Sequence, residues 1–317
     1  MKPTITMNRN NTGIPVQEAY DKFIRLKKLK KLSPESISYY DNGFRYFGEF
    51  FDLARPCADI NKETMYSYLE HLQTTRNAND VTINTYLKSM RTILYYFMEE
   101  GYMQRFKIEL VRVEKEIKET YTEEELEKLL RKPDLKKCGF TEYRCWVMAN
   151  YLLATGNRIR TALNVQIEHL DFSNQLILLG KTKNGRQQLI PMSDQLTEIL
   201  QEYLLYRKGE PEEYLFCSIH GTQLTRDGTT TVMYRYHKKR GVEKTSVHVY
   251  RHTFAKWWIL NGGDIFRLQK ILGHSSMEMV RNYVEMFNND LRKDFTAFNP
   301  LDNFAKEQTK KVIHMKK

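Results

Sequence analysis

From Pro15 to Gly101 the apolar residues recur at helical spacing, in segments that short polar links separate. In the first segment, residues 15–32, one apolar stripe consists of Ala19, Phe23, Leu26 and Leu29. The opposite face is basic and carries Lys22, Arg25, Lys27, Lys28, Lys30 and Lys31. That face is either an ordinary solvated helix surface or a surface that contacts phosphate groups.

Three further helices are predicted before Gly101. The second begins at Ser33, an N-cap residue, and is broken by Pro56. Its apolar positions include Ile37, Tyr40, Phe44, Phe47 and Phe51. The third is expected over residues 62–74 and the fourth over residues 81–100, where Gly101 is a stop signal. Four helices with short links indicate a small helical bundle.

The length of 317 residues favours two domains. Residues 106–120 are rich in charge, contain no Gly or Pro, and are interpreted as an extended linker. We therefore predict a flexible leader at residues 1–14, a helical domain at 15–115, a second domain at 116–305 and a loose basic tail at 306–317.

The second domain is predicted to be mixed α/β. Thr122 and the three glutamates that follow it are a strong helix start, and an apolar helix over residues 142–155 ends at Gly156. Asn184-Gly185, between LILLGKTK and RQQLIPM, is a two-residue turn signal for a β-hairpin. Further helices are expected at residues 194–207, at 228–239 and over most of 246–304. The predicted fold is thus mainly α with a small β-sheet.

The charge balance favours a polyanionic partner. The chain has 50 basic and 39 acidic residues, a formal net charge of +11, and DNA or RNA is the usual partner of such a surplus. No apolar run approaches the roughly 20 residues that span a bilayer, and residues 1–15 lack a signal-peptide core. No CxxC pair or zinc-site spacing occurs among Cys57, Cys138, Cys145 and Cys217. We therefore expect a cytoplasmic protein with reduced cysteines.

Five local patterns follow one another in the second domain. They are TGNR at 155–158, a lysine on the 176–192 hairpin, HVYRH at 248–252, LGHSS at 272–276, and Tyr283. In this order they resemble the tyrosine recombinase/integrase family, whose pattern places a tyrosine nine residues after the histidine of Leu-Gly-His. His274 and Tyr283 are nine residues apart, and Arg251 and His274 are 23 apart. The resemblance covers nearly the whole chain.

The resemblance implies a SAM-like core-binding domain, a catalytic domain, and cleavage and rejoining of DNA through a 3′-phosphotyrosyl bond. Arg158 and Arg251 then hold the scissile phosphate, because guanidinium groups stay protonated and bind phosphate oxygens in pairs. His248 is implied to be a general base or a phosphate ligand, His274 to donate a hydrogen bond to the phosphate, and Tyr283 to be the nucleophile. Tyr250 is expected to face the core, and His252 to pack or support locally.

The acid that protonates the leaving 5′ oxygen is, in the family, a hairpin lysine. Lys183 lies eight residues before Pro191, which is the family spacing, whereas Lys181 follows Gly180 as in some relatives. We favour Lys183 and keep Lys181 as the alternative. One position departs from the family pattern: Thr161 stands where an acidic residue is usual, three positions after the first arginine.

The implied partner is duplex DNA, with basic contacts in the helical domain from Lys28, Lys31, Lys88 and Arg91. The resemblance also implies a homotetramer on DNA. In that assembly the C-terminal apolar stripe (Phe295, Phe298, Leu301 and Phe304) docks into a neighbouring subunit, unless it packs on its own domain. No cofactor is implied, since the phosphotyrosyl bond conserves the energy for rejoining and no acidic cluster is available to hold magnesium.

The expected function is site-specific recombination, for integration or excision of a mobile element. The chain length leaves no room for the extra arm-binding domain of many phage integrases, so a two-domain type is expected. Three alternatives remain open: chromosome-dimer resolution, a catalytically idle DNA-binding regulator of the same fold, and a topoisomerase.

Overall fold

A computed structural model describes residues 13–113, 119–180, 188–274 and 276–287. Their contacts form two compact units, one within residues 1–116 and the other within residues 117–317. Within the described ranges, no helix combines the length and the apolar character that crossing a membrane requires.

The first unit is a four-helix bundle. Its helices are α1 (Val16–Leu29), α2 (Pro34–Gly48), α3 (Lys62–Thr74) and α4 (Asp80–Glu99). The start of α2 is capped as predicted, because the hydroxyl of Ser33 accepts a hydrogen bond from the backbone N–H of Ser36 at 3.3 Å. Helix α4 packs against each of the other three helices, so it lies at the centre of the bundle.

Two details of this unit differ from the sequence prediction. Leu29 is 71% exposed, because the buried stripe of α1 follows Val16 at positions 19, 20, 23 and 24 and leaves Leu29 on the other side. Helix α2 ends at Gly48, well before Pro56. A Cβ at Gly48 would lie 2.8 Å from Leu53, so the missing side chain lets the chain fold back over the end of the helix.

The second unit contains eight α-helices and three strands in its described part. They are α5 (Glu123–Leu130), α6 (Phe140–Thr155), α7 (Ile159–Ala162), β1 (Leu170–Asp171), β2 (Leu176–Leu179), β3 (Gln188–Pro191), α8 (Asp194–Arg207), α9 (Arg226–Lys239), α10 (His248–Leu260), α11 (Ile265–Leu272) and α12 (Glu278–Phe287). The mainly helical fold with a small sheet is therefore confirmed.

The sheet is antiparallel, with the strand order β1-β2-β3, and Ile177 pairs with Ile190. The predicted hairpin is confirmed by the β2–β3 pairing, while the turn at Asn184-Gly185 lies outside the described residues. Strand β1 was not predicted, because its two residues are too few to show a period-2 pattern.

Helix α6 forms the middle of the second core and packs against α5, α8, α9 and α10. It is apolar on nearly all sides, as expected of a helix surrounded by other elements. Gly156 ends it in the left-handed conformation, at φ +62°. The sequence prediction of an apolar helix that stops at Gly156 is confirmed. The chain segment directly after Gly156 carries the first residue of the candidate site.

A buried polar cluster supports α10 from the core side. The Nε2 atom of His237 lies 2.9 Å from the hydroxyl of Tyr250 and 3.2 Å from that of Tyr121. Tyr250 is fully buried, which confirms that it faces the core. Burial lowers the pKa of His237 to about 4, so this imidazole is neutral at pH 7.

We expect His237 to make the second unit acid-sensitive. Its pKa is about 4 in the folded chain and about 6.5 when unfolded, so the unfolded chain takes up the proton first as the pH falls. The free energy of unfolding is therefore highest above pH 6.5, and it falls by about 3 kcal/mol as the pH drops towards 4. Between pH 7 and pH 4 the free energy of unfolding should fall by that much more in wild type than in His237→Gln.

Urea unfolding followed by tryptophan fluorescence measures this difference, because all three tryptophans (Trp146, Trp257 and Trp258) lie in the second unit. The matched control is His220→Gln, since His220 is exposed on the same unit. Equal pH dependence in wild type and His237→Gln would contradict the prediction.

Candidate active site

The first site residue lies in the corner between α6 and α7. Arg158 is the N-cap residue of α7, and its side chain is exposed. Gly156 allows this corner to close, because a Cβ there would lie 2.5 Å from Phe254 and 2.7 Å from Leu272. Asn157 is buried and donates a hydrogen bond from Nδ2 to the hydroxyl of Tyr151 at 2.9 Å. Close packing at Gly156 and the hydrogen bond of Asn157 therefore both fix the conformation of this corner.

Arg251 is the buried charge of the site, with 5% of its surface exposed. Its Nη1 donates to the carbonyl oxygen of Gly156 and its Nη2 to that of Leu272, both at 2.9 Å. These two carbonyls lie at the C-terminal ends of α6 and α11, where oxygens lack helical partners and the helix dipole favours a cation. Arg158 Nη1 also points to the Leu272 carbonyl, at 3.5 Å.

His274 joins this group from the turn after α11. Gly273, at φ +61°, ends the helix and turns the next residue inward, so that His274 is only 8% exposed. The Nε2 atom of His274 lies 2.5 Å from Nη2 of Arg251. A guanidinium group cannot accept a hydrogen bond, so Nε2 is the acceptor and the ring is neutral.

Tyr283 completes the cluster from α12 and is 3% exposed. Its ring lies parallel to that of His274, with centroids 6.2 Å apart and an interplanar angle of 3°. Its hydroxyl lies 2.8 Å from Nδ1 of His252. Burial raises the pKa of the Tyr283 hydroxyl, and the positive charges of Arg251 and Arg158 oppose that rise without cancelling it.

His248 is the first residue of α10 and lies towards solvent. Partial desolvation lowers the pKa of its imidazole, and the positive charges of Arg226, Arg251 and Arg158 lower it further. The structure therefore brings together Arg158, His248, Arg251, His274 and Tyr283, which lie far apart in the chain.

The two arginines repel each other across the site. Burial, and then the charge of Arg158, lowers the pKa of Arg251 to about 10, so its guanidinium stays protonated at neutral pH. A phosphate between the two guanidinium groups relieves this repulsion and accepts their hydrogen bonds. The electrostatics of the site thus favour an anion.

Lys181 and Lys183 lie outside the described residues. The strand that follows them is tied to the site, because Nε2 of Gln188 donates to the carbonyl oxygens of Lys270 and Ile271 at 2.5 and 2.7 Å. A Cβ at Gly273 would come within 2.9 Å of the Gln188 side chain, so the contact depends on that glycine. Strand β3 is thereby attached to the end of α11, next to His274.

The four candidate DNA contacts of the first unit lie on α1 and α4 or just after α1. Lys28, Lys31 and Lys88 are exposed, and Arg91 is half-buried. The charge of Arg91 acts on the hydroxyl of Tyr39, which places the two side chains close together. Lys88 and Arg91 are three residues apart on α4 and so share a face of that helix.

Two further residues belong to the cluster and were not predicted as site residues. Arg226, at the start of α9, acts on His248 through its charge. His252, expected only to pack or support locally, contacts the hydroxyl of Tyr283. The signal for His252 was its spacing of four residues from His248, which puts both on one face of a helix.

Family models match both units. Residues 119–289 match the phage integrase family, and residues 20–102 match the N-terminal SAM-like domain of phage integrases. The chain belongs to the phage integrase family. Both matches agree with the resemblance found in the sequence motifs.

Curated relatives of similar length are tyrosine recombinases. The chain is 25% identical over 295 residues to tyrosine recombinase XerD of Staphylococcus epidermidis, which covers 89% of this chain and 98% of that protein. It is 26% identical over 285 residues to tyrosine recombinase XerC of Roseiflexus castenholzii, covering 86% and 90% of the two chains.

Solved structures share the fold. An integrase of the Tn1549 transposon in complex with a circular intermediate DNA matches with a TM-score of 0.72 and 19% identity, over 94% of this chain and all of that one. The XerH site-specific recombinase bound to its difH substrate matches with a TM-score of 0.67 and 21% identity, over 92% and 86% of the two chains.

We expect Gly156→Ala to disrupt the site through its backbone. The left-handed conformation costs an alanine about 1–2 kcal/mol, and the clash with Phe254 and Leu272 adds about 1–3 kcal/mol. Urea unfolding of the second unit should show a loss of about 2–5 kcal/mol, together with loss of DNA cleavage. Gly180→Ala is the matched control, because none of the described residues lies within 4 Å of a Cβ there. Equal stability of the two variants would contradict this account.

Proposed function

We propose that this protein cleaves and rejoins duplex DNA at specific sites, using Tyr283 as the nucleophile. One observation carries the proposal: a buried tyrosine hydroxyl lies beside a buried arginine, and a second arginine shares a carbonyl partner with the first. Membership of the phage integrase family supports the same chemistry. The arrangement suits a phosphodiester, whose charge needs cations and whose phosphorus needs a nucleophile within reach.

In the proposed reaction, Arg158 and Arg251 bind the non-bridging oxygens of the scissile phosphate. Negative charge builds up on these oxygens in the transition state, and fixed guanidinium groups stabilise it without rearranging. The oxygen of Tyr283 bonds to phosphorus as the bond to the 5′ oxygen breaks. Because the new phosphotyrosyl bond replaces a phosphodiester, rejoining runs by the reverse displacement and needs no nucleotide cofactor.

The two histidines of the family pattern have different roles in this proposal. His248 lies among the charges of Arg226, Arg251 and Arg158, where a phosphate oxygen is attracted. His274 holds Arg251 in place through the contact between Nε2 and Nη2. Its neutral ring carries its proton on Nδ1 when Nε2 accepts from Arg251.

We propose duplex DNA as the partner and a homotetramer as the working assembly. The net charge of +11 and the exposed Lys28, Lys31 and Lys88 support binding to a phosphate backbone. The apolar stripe at Phe295, Phe298, Leu301 and Phe304 lies outside the described residues and is the segment proposed to dock into a neighbouring subunit. We also propose that the protein acts in the cytoplasm.

We propose that the natural substrate is the end of a mobile element. The fold shared with the Tn1549 transposon integrase is compatible with this, while the identity with XerD and XerC favours chromosome-dimer resolution as a second candidate. PCR with outward-facing primers at the two ends of the DNA region that carries the gene distinguishes these two functions. A circular junction product supports the mobile element, and its absence, with cleavage of a chromosomal site, supports dimer resolution.

We expect wild type to form a covalent adduct with a nicked suicide DNA substrate that traps the cleaved strand. The adduct survives SDS, and Tyr283→Phe should form none, because the nucleophilic oxygen is missing. Tyr206→Phe is the matched control, since that tyrosine is 55% exposed on the same unit. An adduct that persists in Tyr283→Phe would refute the nucleophile. A wild type that binds the site without forming an adduct would identify an idle regulator.

We expect Lys183→Ala to slow cleavage by about 100-fold or more, because the leaving 5′ oxygen then lacks its acid. A substrate with sulfur in place of that oxygen has a leaving group that needs no proton, so it should be cleaved at the wild-type rate. Lys181→Ala is the matched comparison and should cleave both substrates normally. If Lys181→Ala is slow and Lys183→Ala is normal, Lys181 is the acid. If Lys183→Ala also cleaves the sulfur-containing substrate slowly, Lys183 does not act as the acid.

A further inference from the structure

The imidazole of His252 contacts the hydroxyl of Tyr283, the group proposed to attack phosphorus. Nδ1 of His252 lies 2.8 Å from the hydroxyl oxygen of Tyr283, and the ring centroids are 5.6 Å apart at an angle of 48°. This distance is within the range in which an imidazole takes a proton from a hydroxyl group. The two residues come from α10 and α12, which pack against each other.

Tyr283 needs such a partner because its hydroxyl is buried. The surroundings favour the protonated phenol: burial raises its pKa, and the charges of Arg251 and Arg158 only partly offset that rise. A phenol that attacks phosphorus must lose its proton in the same event. The base therefore has to lie within hydrogen-bond distance of the hydroxyl before DNA cleavage begins.

His248 and His252 occupy different surroundings, although both lie on one face of α10. His248 is at the exposed start of the helix and is influenced by the charges of Arg226 and of Arg251 and Arg158, the two arginines proposed to bind phosphate. His252 lies one helical turn further along and is half-buried against Tyr283. The first histidine is thus placed for the phosphate and the second for the nucleophile.

We propose that His252 is the general base that accepts the proton of Tyr283 during DNA cleavage. This inference rests on the proposed function, in which Tyr283 is the nucleophile. As the bond between the tyrosine oxygen and phosphorus forms, the phenolic proton moves to Nδ1 of His252 and the bond to the 5′ oxygen breaks. The 5′ oxygen takes its proton from the separate acid. In rejoining, the imidazolium of His252 returns its proton to the tyrosine oxygen.

The step requires the neutral tautomer of His252 that carries its proton on Nε2, so that Nδ1 is free of hydrogen and can accept. The groups that surround the pair also titrate or carry charge. Helix α10 contributes His248, Arg251 and Lys256, the turn after α11 contributes His274, and the α6–α7 corner contributes Arg158. A pH profile of wild type alone therefore does not identify the residue that titrates, and variants of single residues are needed to identify it.

His252→Asn tests the proposal, because an asparagine oxygen can occupy the position of Nδ1 and accept the hydrogen bond but cannot take the proton. We expect the rate of adduct formation on the suicide substrate to fall about 100-fold or more. We expect the rate of wild type to rise with pH as the imidazole of His252 loses its proton, and we expect that rise to be absent in His252→Asn. His220→Asn, at an exposed histidine of the same unit, should behave as wild type.

A second readout separates a base from a structural support. Replacing Tyr283 with 3,5-difluorotyrosine lowers the pKa of the phenol, which makes the proton easier to lose without a base. In the His252→Asn background this replacement should restore most of the lost rate. If His252 only supported the fold, the rate in His252→Asn would stay low with tyrosine and with difluorotyrosine at position 283. If His252→Asn shows a lower unfolding midpoint than wild type, His252→Gln is measured in the same way.

The outcomes distinguish this inference from the proposed function. An adduct in Tyr283→Phe overturns the nucleophile and with it the base. An adduct that requires Tyr283 but forms in His252→Asn at the wild-type rate and with the wild-type pH profile overturns only the base. Loss of the pH dependence in His248→Asn, with retention in His252→Asn, also overturns it and makes His248 the base.

Discussion

The second unit is organised around the buried guanidinium group of Arg251. A buried charge is costly unless hydrogen bonds satisfy it, and Arg251 finds its acceptors at Gly156, Leu272 and His274. The two carbonyls end helices α6 and α11, so one side chain satisfies backbone oxygens that the helices leave unpaired. Three chain segments that are distant in sequence meet at this group, and each carries a residue of the candidate site.

The glycines at the two helix ends make this meeting possible. Gly156 and Gly273 both adopt left-handed conformations, and a side chain at either position would collide with a neighbour. Gln188 then ties the β3 strand to the same end of α11. Strand β3, Arg158 and Arg251 are therefore linked through a few backbone carbonyls at the ends of α6 and α11, which fixes the relative positions of these groups.

Local signals predicted much of the fold. Ser33 and Thr122 cap helices where expected, α3 and α8 have the predicted bounds, and the hairpin pairs as its turn signal indicated. The errors arose where packing overrode a pattern. Leu29 fits an apolar stripe in sequence but lies off the buried face, and α2 ends early because Leu53 packs over Gly48. Strand β1 exists only through its pairing with β2.

The sequence by itself determined the family, the order of the motifs and the choice of Tyr283 among 20 tyrosines, because these depend on residue types at set spacings. Only the tertiary structure decided which groups touch. It placed His252 against the hydroxyl of Tyr283 and turned His248 towards Arg226, although both histidines share one helix face. Spacing fixes the face of a helix, but the neighbouring helix that packs on it determines the contacts of each side chain.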